Sequence, residues 1–235
     1  MPQRNNFLLN RLEPELLNRL TAQLSLVELD RGQVLAEADR RIYKVYFPHS
    51  GIISCIVELS SGNAIETGLI GNDGAFGAGH AFDDRVSLNR VVVQATGMIS
   101  VISSDRLISI ANEFPVLRNL LLDYEHFLLS QVQQTAACIA VHTVQARMCK
   151  WLLRMHDLVG PELLVTQEYQ AQMLGVQRTT VTVVAGELQE AGLITYRRGH
   201  IRINDIERVR QCACECAGTI RSHYQRIMKT NYPTD

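Results

Sequence analysis

The sequence predicts an α+β fold in which an N-terminal helix and a small antiparallel β-barrel precede a long helix and a helical C-terminal domain. Its 235 residues are enough for two separate cores. Short β-rich runs fill much of the first half, and the apolar spacing becomes helical from Val116 onward. We therefore expect three segments: a helix and barrel over residues 1–115, a long helix and hinge over 116–140, and a C-terminal domain over 141–235.

The first segment opens with a predicted helix over residues 7–24, which has Pro14 in a first-turn position and leucines along one side. Beyond it, β-rich runs alternate with turn material such as Asp30-Arg31-Gly32. Many short strands at regular spacing are typical of a small antiparallel β-roll, jelly roll or sandwich. The runs cover residues 27–29, 33–35, 45–47, 52–59, 64–70 and 91–102.

The long helix carries a row of residues that alternate four and three apart, which is the heptad spacing of a two-stranded seam. One interpretation is a helix that packs on its own barrel. The other, which we favour, is a dimer helix that would supply two-fold symmetry. Residues 136–142 are the predicted hinge, and Thr143 is the predicted N-cap of a further helix. The row consists of Leu117, Leu121, Tyr124, Leu128, Gln131 and Thr135.

Residues 167–190 have the pattern of two short helices around a tight turn. Ala171 is a small residue where a second helix must cross closely, and Gly175 stands where the turn needs a positive φ. Val176, Val181 and Val184 are predicted to return to the core. This arrangement predicts a helix-turn-helix with a recognition helix over residues 177–190, which would insert its first turns into the DNA major groove. Its predicted DNA-facing residues are Gln177, Arg178, Thr179, Thr180 and Thr182.

A short hairpin is predicted directly after the second helix. Alternating apolar and polar residues flank a turn at Arg198-Gly199. The unit is therefore a predicted winged helix-turn-helix. Arg197, Arg198 and His200 would lie at the tip of the wing, near a DNA phosphate backbone.

Composition and charge fit a DNA-binding protein without proving one. The chain is 46% hydrophobic and 20% charged, as globular proteins are. Residues 1–140 carry 11 basic and 15 acidic side chains, whereas residues 141–235 carry 12 and 9. The basic excess thus lies with the helix-turn-helix. No run of eighteen apolar residues and no apolar leader is present, so we expect a cytoplasmic protein without a membrane span.

The order of helix, barrel, long helix and winged helix-turn-helix resembles the Crp/Fnr family of bacterial transcription regulators. The barrel segment Gly-Asn-Asp-Gly-Ala-Phe-Gly at residues 71–77 is similar to the turn that enters the family's phosphate-binding cassette. The resemblance implies a cyclic-nucleotide-binding-like β-roll, a homodimer on an inverted-repeat operator of double-stranded DNA, and contact with RNA polymerase. It also implies that Arg178 reads a guanine.

The cassette departs from the family's cyclic-nucleotide pattern. The residues that would form the candidate effector pocket are Phe76, Gly77, Ala78, Asn89 and Arg90. Ala78 stands where cyclic-nucleotide binders have Glu, and Asn89 stands where they have the phosphate-binding Arg. Arg90 is one residue further along, and in a strand a one-residue shift turns a side chain to the opposite face. The sequence therefore predicts no control by cyclic AMP and no identified cofactor.

Catalysis is not expected, because no nucleophile elbow, phosphate-gripping loop or metal-spaced pair of histidines occurs. The three C-terminal cysteines Cys212, Cys214 and Cys216 lie in a predicted helix over residues 206–227. Three thiolates on one regular helix cannot converge on a tetrahedral metal, so packing thiols are favoured over redox or metal sensing. The alternative function is a ligand-binding or redox- or metal-sensing module whose winged domain contacts protein instead of DNA.

Overall fold

The computed structural model describes residues 5–83 and 86–232. At the N-terminus, the single helix predicted over residues 7–24 is wrong, because the chain forms α1 (Phe7–Asn10) and α2 (Pro14–Thr21). Pro14 begins the second helix. Because a proline disfavours helical backbone at the residue before it, the two helices are separate. Asn6 holds α1 in place: its Oδ1 accepts from the backbone of Leu8 and Leu9, while its Nδ2 donates to the barrel carbonyls of Pro48 and Gly74.

The predicted antiparallel β-roll is confirmed. One sheet has the strand order β1-β7-β3 and the other β2-β6-β4-β5, with antiparallel pairing throughout the described strands. The run predicted over residues 91–102 is divided at Thr96 into β6 and β7, which belong to different sheets. The strands are β1 (Ser25–Leu29), β2 (Val34–Ala36), β3 (Lys44–Pro48), β4 (Ile52–Glu58), β5 (Ala64–Ile70), β6 (Arg90–Ala95) and β7 (Gly97–Ser103).

Two helices that the sequence analysis missed, α3 (Ala78–Asp83) and α4 (Ser104–Glu113), lead from the barrel to the long helix α5 (Pro115–Val141). The predicted dimer seam on α5 is wrong. Leu117, Leu121 and Tyr124 are buried in the core of their own chain, and Gln131 is buried as well. Leu128 and Thr135 are half-buried. This face is covered by the barrel, by α3 and α4, and by the C-terminal helix α10 (Cys216–Met228).

A second apolar core fills the C-terminal part, where α6 supplies Trp151 and Leu152, and it extends to Ile52 and Leu69 of the barrel. Thr143 caps α6 as predicted, since its Oγ1 accepts from the backbone N–H of Ala146. The predicted C-terminal helix over residues 206–227 is interrupted, so that α9 and α10 are separate. The elements are α6 (Val144–Val159), β8 (Glu162–Leu164), α7 (Gln167–Leu174), α8 (Arg178–Glu190), β9 (Ile194–Arg197), β10 (His200–Ile203) and α9 (Ile206–Cys212).

Within residues 5–83 and 86–232, no helix combines the length and apolar character that crossing a membrane requires.

Candidate nucleic-acid interface and adjoining sites

The turn between α7 and α8 has the geometry that its sequence predicts. Thr166 caps α7 by accepting from the backbone N–H of Tyr169. Gly175 ends the helix at a φ of 60°, and its N–H donates to the carbonyls of Ala171 and Gln172. Such a left-handed cap favours glycine, because a Cβ is disfavoured at this φ. The next helix can therefore begin after only a short turn, at Arg178.

Helix α8 has one buried and one exposed side. Val181, Val184 and Leu188 are buried against the rest of the C-terminal core. Gln177 is the N-cap residue and Arg178 is the first helical residue. Of the predicted DNA-facing residues, Gln177, Arg178, Thr179 and Thr182 are exposed, and Thr180 is half-buried. Val183, which the sequence analysis did not include, is 60% exposed on the same helix and offers an apolar side chain of the kind that contacts a thymine methyl group.

The wing is a two-residue hairpin between β9 and β10. Arg198 and Gly199 have φ values of 49° and 81°, as the right-handed twist of a tight hairpin requires. Arg197, Arg198 and His200 are exposed. The wing is fixed to α8 because the backbone N–H of Tyr196 donates to Gln189 Oε1 at 2.7 Å. A third strand, β8, which was not predicted, pairs with β10 on its other side.

The start of the candidate effector pocket is well packed. Phe76 is buried and stacks on Tyr46, with ring centroids 5.9 Å apart. Gly77 has a φ of 87°, and a Cβ there would lie 2.6 Å from the carbonyl oxygen of Lys44. Ala78 is buried at the first position of α3. The backbone N–H of Gly79 donates to Glu125 Oε1 of α5 at 2.8 Å, so a carboxylate of the chain itself binds this amide.

At the other end of the predicted pocket, the Arg90 side chain is paired at the surface. Arg90 Nη1 lies 3.2 Å from Glu58 Oε1, and its Nε lies 3.5 Å from Glu37 Oε2. Both carboxylates are about half exposed. Asn89 is half-buried just before β6. The structure therefore directs the Arg90 side chain toward two acidic groups, which a phosphate would have to displace.

Buried polar contacts join the barrel to the helix-turn-helix. Glu66 of β5 accepts hydrogen bonds from Ser54 Oγ at 2.7 Å and from the hydroxyl of Tyr169 on α7 at 3.3 Å. Burial raises the pKa of Glu66 to about 7, although these two hydrogen bonds and the charge of Lys150 oppose that rise. The predicted sensor segment is thus in direct contact with the first helix of the helix-turn-helix.

A buried ion pair makes a second connection. Arg154 of α6 donates to Asp73 Oδ2 at 2.7 Å and to the carbonyl of Leu69 at 3.1 Å, and it also donates to the hydroxyl of Tyr232. Asp73 is completely buried, and the Arg154 side chain is 13% exposed. The turn at residues 71–77, which the sequence analysis compared with a phosphate cassette, therefore holds a cation from the C-terminal part.

The prediction that the C-terminal cysteines lie on one helix is wrong. Cys212 is exposed at the end of α9, whereas Cys214 and Cys216 are buried at the junction with α10. Cys214 and Cys216 lie close to Cys138 and His142 at the end of α5. The signal that could have revealed this group is the Cys-x-x-x-His spacing of residues 138 and 142, which places both side chains one helical turn apart.

A cavity of about 440 Å³ lies between β5, the end of α5, α6 and the junction of α9 with α10. Arg147, Lys150 and Arg154 of α6 line it, together with Cys138 and Cys214. Burial raises the pKa of Cys138, and the ammonium of Lys150 acts against that rise. Burial and the hydrogen bond with Cys138 raise the pKa of Cys214 to about 12.

Comparison with known proteins agrees with this geometry. Residues 146–212 match the family described as the Crp-like helix-turn-helix domain. No curated protein matches the sequence significantly. Among solved structures, a Crp/Fnr family regulator from Eubacterium rectale aligns with a TM-score of 0.70 at 18% identity, over 89% of this chain and 98% of that one.

Two further solved structures share the fold. FixK2 from Bradyrhizobium japonicum aligns with a TM-score of 0.69 at 14% identity, over 81% of this chain and 98% of that one. CLP from Xanthomonas campestris, described as a c-di-GMP responsive global regulator, aligns with a TM-score of 0.66 at 18% identity, over 82% of this chain and all of the other. At these identities the likeness is one of fold.

The fold and the α7–α8 unit together define a protein in which a winged helix-turn-helix follows a β-roll along the chain. More particularly, residues 146–212 match the Crp-like helix-turn-helix domain, and the chain has the fold of the Crp/Fnr family regulators. The resemblance stated from the sequence is confirmed.

Proposed function

We propose that this chain is a dimeric transcription regulator that binds an inverted-repeat operator through α8 and its wing. The observation that carries the proposal is the exposed polar end of α8, where Gln177, Arg178 and Thr179 stand clear of the protein surface next to a basic wing. In a winged helix-turn-helix, the first turns of the second helix contact base edges and the wing contacts phosphates. RNA polymerase is a further partner that the family resemblance suggests.

The proposed division of the chain follows from these elements. Residues 1–115 would act as a sensor, 116–140 as the dimerisation helix and hinge, and 141–235 as the DNA-binding domain. Helix α5 is continuous through Val141, and α6 begins at Val144. Within the described residues, the helical connection between the barrel and α6 is therefore interrupted only at His142 and Thr143. Two polar contacts could carry a signal from the barrel: Glu66 contacts α7, and Asp73 contacts α6.

The dimer helix would use a different face from the predicted one. Leu122, Leu129, Val132 and Ile139 are 46%, 54%, 41% and 37% exposed on α5. Leu122 and Leu129 are seven residues apart, as are Val132 and Ile139. Val132 follows Leu129 by three residues, so the four side chains occupy the two apolar positions of one heptad repeat. A second copy of the same helix is the partner that such a seam fits, because a two-fold interface presents the same row from both sides.

Control by cyclic AMP is not part of the proposal. Ala78 lacks a group for a ribose hydroxyl, Arg90 is paired with Glu37 and Glu58, and the amide of Gly79 is bound by Glu125. A cyclic phosphate entering this region would meet carboxylates in place of unpaired donors. Desolvation of the phosphate would then be poorly compensated.

The test is selection of duplex DNA from a random pool, followed by binding measurements with two matched variants. We expect enrichment of an inverted repeat whose half-sites are about one helical turn apart, a steep loss of affinity with added salt, and no change on addition of cyclic AMP. Arg178→Ala should lose about tenfold or more of the preference at one base pair of each half-site. Arg106→Ala removes the same charge from an exposed position of α4 and should leave the preference unchanged.

One result would contradict the proposed function, and another would contradict the role of Arg178. Weak binding with no enriched sequence and no salt dependence would favour the alternative in which the winged domain contacts protein. Unchanged specificity in Arg178→Ala, with a selected operator in hand, would refute the assignment of that residue while retaining the function.

A further inference from the structure

Four side chains that could bind a metal converge where the long helix meets the C-terminal domain. Cys138 lies in the last turn of α5, and His142 is the C-cap residue of the same helix. Cys214 lies between α9 and α10, and Cys216 is the first residue of α10. Their Sγ atoms and an imidazole nitrogen all lie within 4.8 Å of one another.

The spacing of these atoms is close to that of a tetrahedral coordination shell. Cys138 Sγ and Cys214 Sγ are 3.5 Å apart, and Cys216 Sγ lies 3.6 Å from His142 Nδ1. Zinc binds sulfur at about 2.3 Å and imidazole nitrogen at about 2.0–2.1 Å, so the edges of a tetrahedral site are roughly 3.6–3.8 Å long. Small rotamer changes would bring the longest separations to this value. A polynuclear iron–sulfur cluster needs its thiolates further apart, because they bind different iron atoms.

The surroundings orient the ligands as they do in known zinc sites. His142 Nε2 lies 3.2 Å from Glu215 Oε1, a contact that places the ring proton on Nε2 and leaves Nδ1 as the lone-pair donor toward Cys216. Gln134 Nε2 donates to Cys216 Sγ at 3.1 Å, which favours a thiolate at that position. Two of the four ligands, His142 and Cys216, are therefore oriented by further side chains of the chain.

Burial and charge also fit a closed metal site. Cys138, Cys214 and Cys216 are 1%, 7% and 1% exposed and form a small cluster with Ala146 packed against it. Three thiolates and Zn²⁺ carry a net charge of −1, and Lys150 lines the cavity next to Cys138 and Cys214. The same cavity gives an ion a route to two of the sulfurs.

We propose that Cys138, His142, Cys214 and Cys216 bind one Zn²⁺ ion that joins the end of the long helix to the junction of α9 and α10. Binding releases a proton from each of the three thiols, forms three Zn–S bonds and one Zn–N bond, and involves no change of oxidation state. Four protein ligands leave no open position, so the ion is structural. It connects the proposed dimerisation helix to the DNA-binding domain, next to the break at residues 142–143.

The first test uses the unmodified protein and does not depend on DNA binding. Protein purified under reducing conditions and stripped of metal is titrated with Co²⁺ and then with Zn²⁺. We expect one equivalent of Co²⁺ to give the intense visible bands of a tetrahedral ion and the near-ultraviolet thiolate charge-transfer band. One equivalent of Zn²⁺ should then remove both. A weak octahedral spectrum, or no saturation at one equivalent, would overturn the proposal.

Matched cysteine variants provide the second test. Cys214→Ser should lose the stoichiometric Zn²⁺ and the thiolate band, whereas Cys212→Ser, which changes the exposed neighbour two residues away, should keep both. Equal loss in both variants would contradict the assigned ligands. A protein that retains a Cys138–Cys214 disulfide after mild reduction, and takes up no metal, would show that these two sulfurs form a redox pair instead.

Discussion

Glu66 is a carboxyl group enclosed between the barrel and the helix-turn-helix. Its neighbours Ser54 and Tyr169 can donate to it whether it is charged or neutral, but burial favours the neutral acid. The ordinary pKa of 4.5 is raised to about 7 in the folded chain. An unfolded chain therefore ionises Glu66 first, and the folded state loses stability as the pH rises from about 4.5 through about 7.

Replacement of this acid by an amide tests the effect. Glu66→Gln should match the parent protein in unfolding free energy near pH 4 and exceed it by a margin that grows toward pH 8. The margin is at most about 3.5 kcal/mol, since the pKa rises from 4.5 to about 7 and one pKa unit corresponds to about 1.4 kcal/mol. Urea unfolding across this pH range measures it. Glu58→Gln, at an exposed carboxyl of the neighbouring strand, serves as the control. Parallel curves for Glu66→Gln and the parent would refute the shift.

Arg198 illustrates a residue whose backbone and charge have separate effects. It adopts a φ of 49° in the wing turn. A positive φ is uncommon for a residue with a side chain, and Asn or Gly is preferred at such a position. The sequence places a cation at this position instead. Such a choice fits the proposed phosphate contact, in which the tip of the wing must carry positive charge.

At the scale of elements, helix α5 shows why a heptad pattern can predict a helix and still misplace its partner. Both sides of α5 carry apolar residues at heptad spacing, one through Leu117, Leu121 and Tyr124, the other through Leu122 and Leu129. The periodicity does not say which side packs on the barrel. Tertiary packing decides it, since the barrel and α10 cover the first row and leave the second exposed.

A charge on the exposed row should separate the proposed dimer. Leu129→Glu would bring two carboxylates together at a two-fold seam, so we expect a monomer by sedimentation and loss of binding to the full inverted repeat. Val116→Glu adds the same charge in place of an apolar residue that is 60% exposed on the same helix outside the row, and this variant should remain dimeric. A dimeric Leu129→Glu protein would show that the subunits associate elsewhere.

For the molecule as a whole, the buried pair of Arg154 and Asp73 joins the barrel to the C-terminal part. Removing one member of a buried pair leaves an uncompensated charge and costs about 3–5 kcal/mol. The contrast is the pair of Arg19 and Glu113 at 3.1 Å, which joins α2 to α4 with both side chains nearly half exposed. Exposed pairs contribute about 0–1 kcal/mol.

We therefore expect Arg154→Met to lower the unfolding free energy by about 3–5 kcal/mol, and Glu113→Gln to change it far less. Denaturant titration gives both values. Asp73→Asn combined with Arg154→Met should recover part of the loss, because no buried carboxylate is then left unpaired. A small effect of Arg154→Met alone would mean that the two parts of the chain are held together by other contacts.

The amino-acid sequence alone predicts the elements whose signals are local: the left-handed Gly175 turn, the α8 pattern of valines and exposed polar residues, the wing turn at Arg198-Gly199, the Thr143 cap and the antiparallel strands. It did not determine which face of α5 is buried, where the helix after residue 206 is interrupted, or that Cys138 and His142 meet Cys214 and Cys216. Capping and turn formation depend on residues a few positions apart, so a short window contains their cause. Burial and ligand convergence depend on groups more than seventy residues apart, and only the packing of whole elements brings those together.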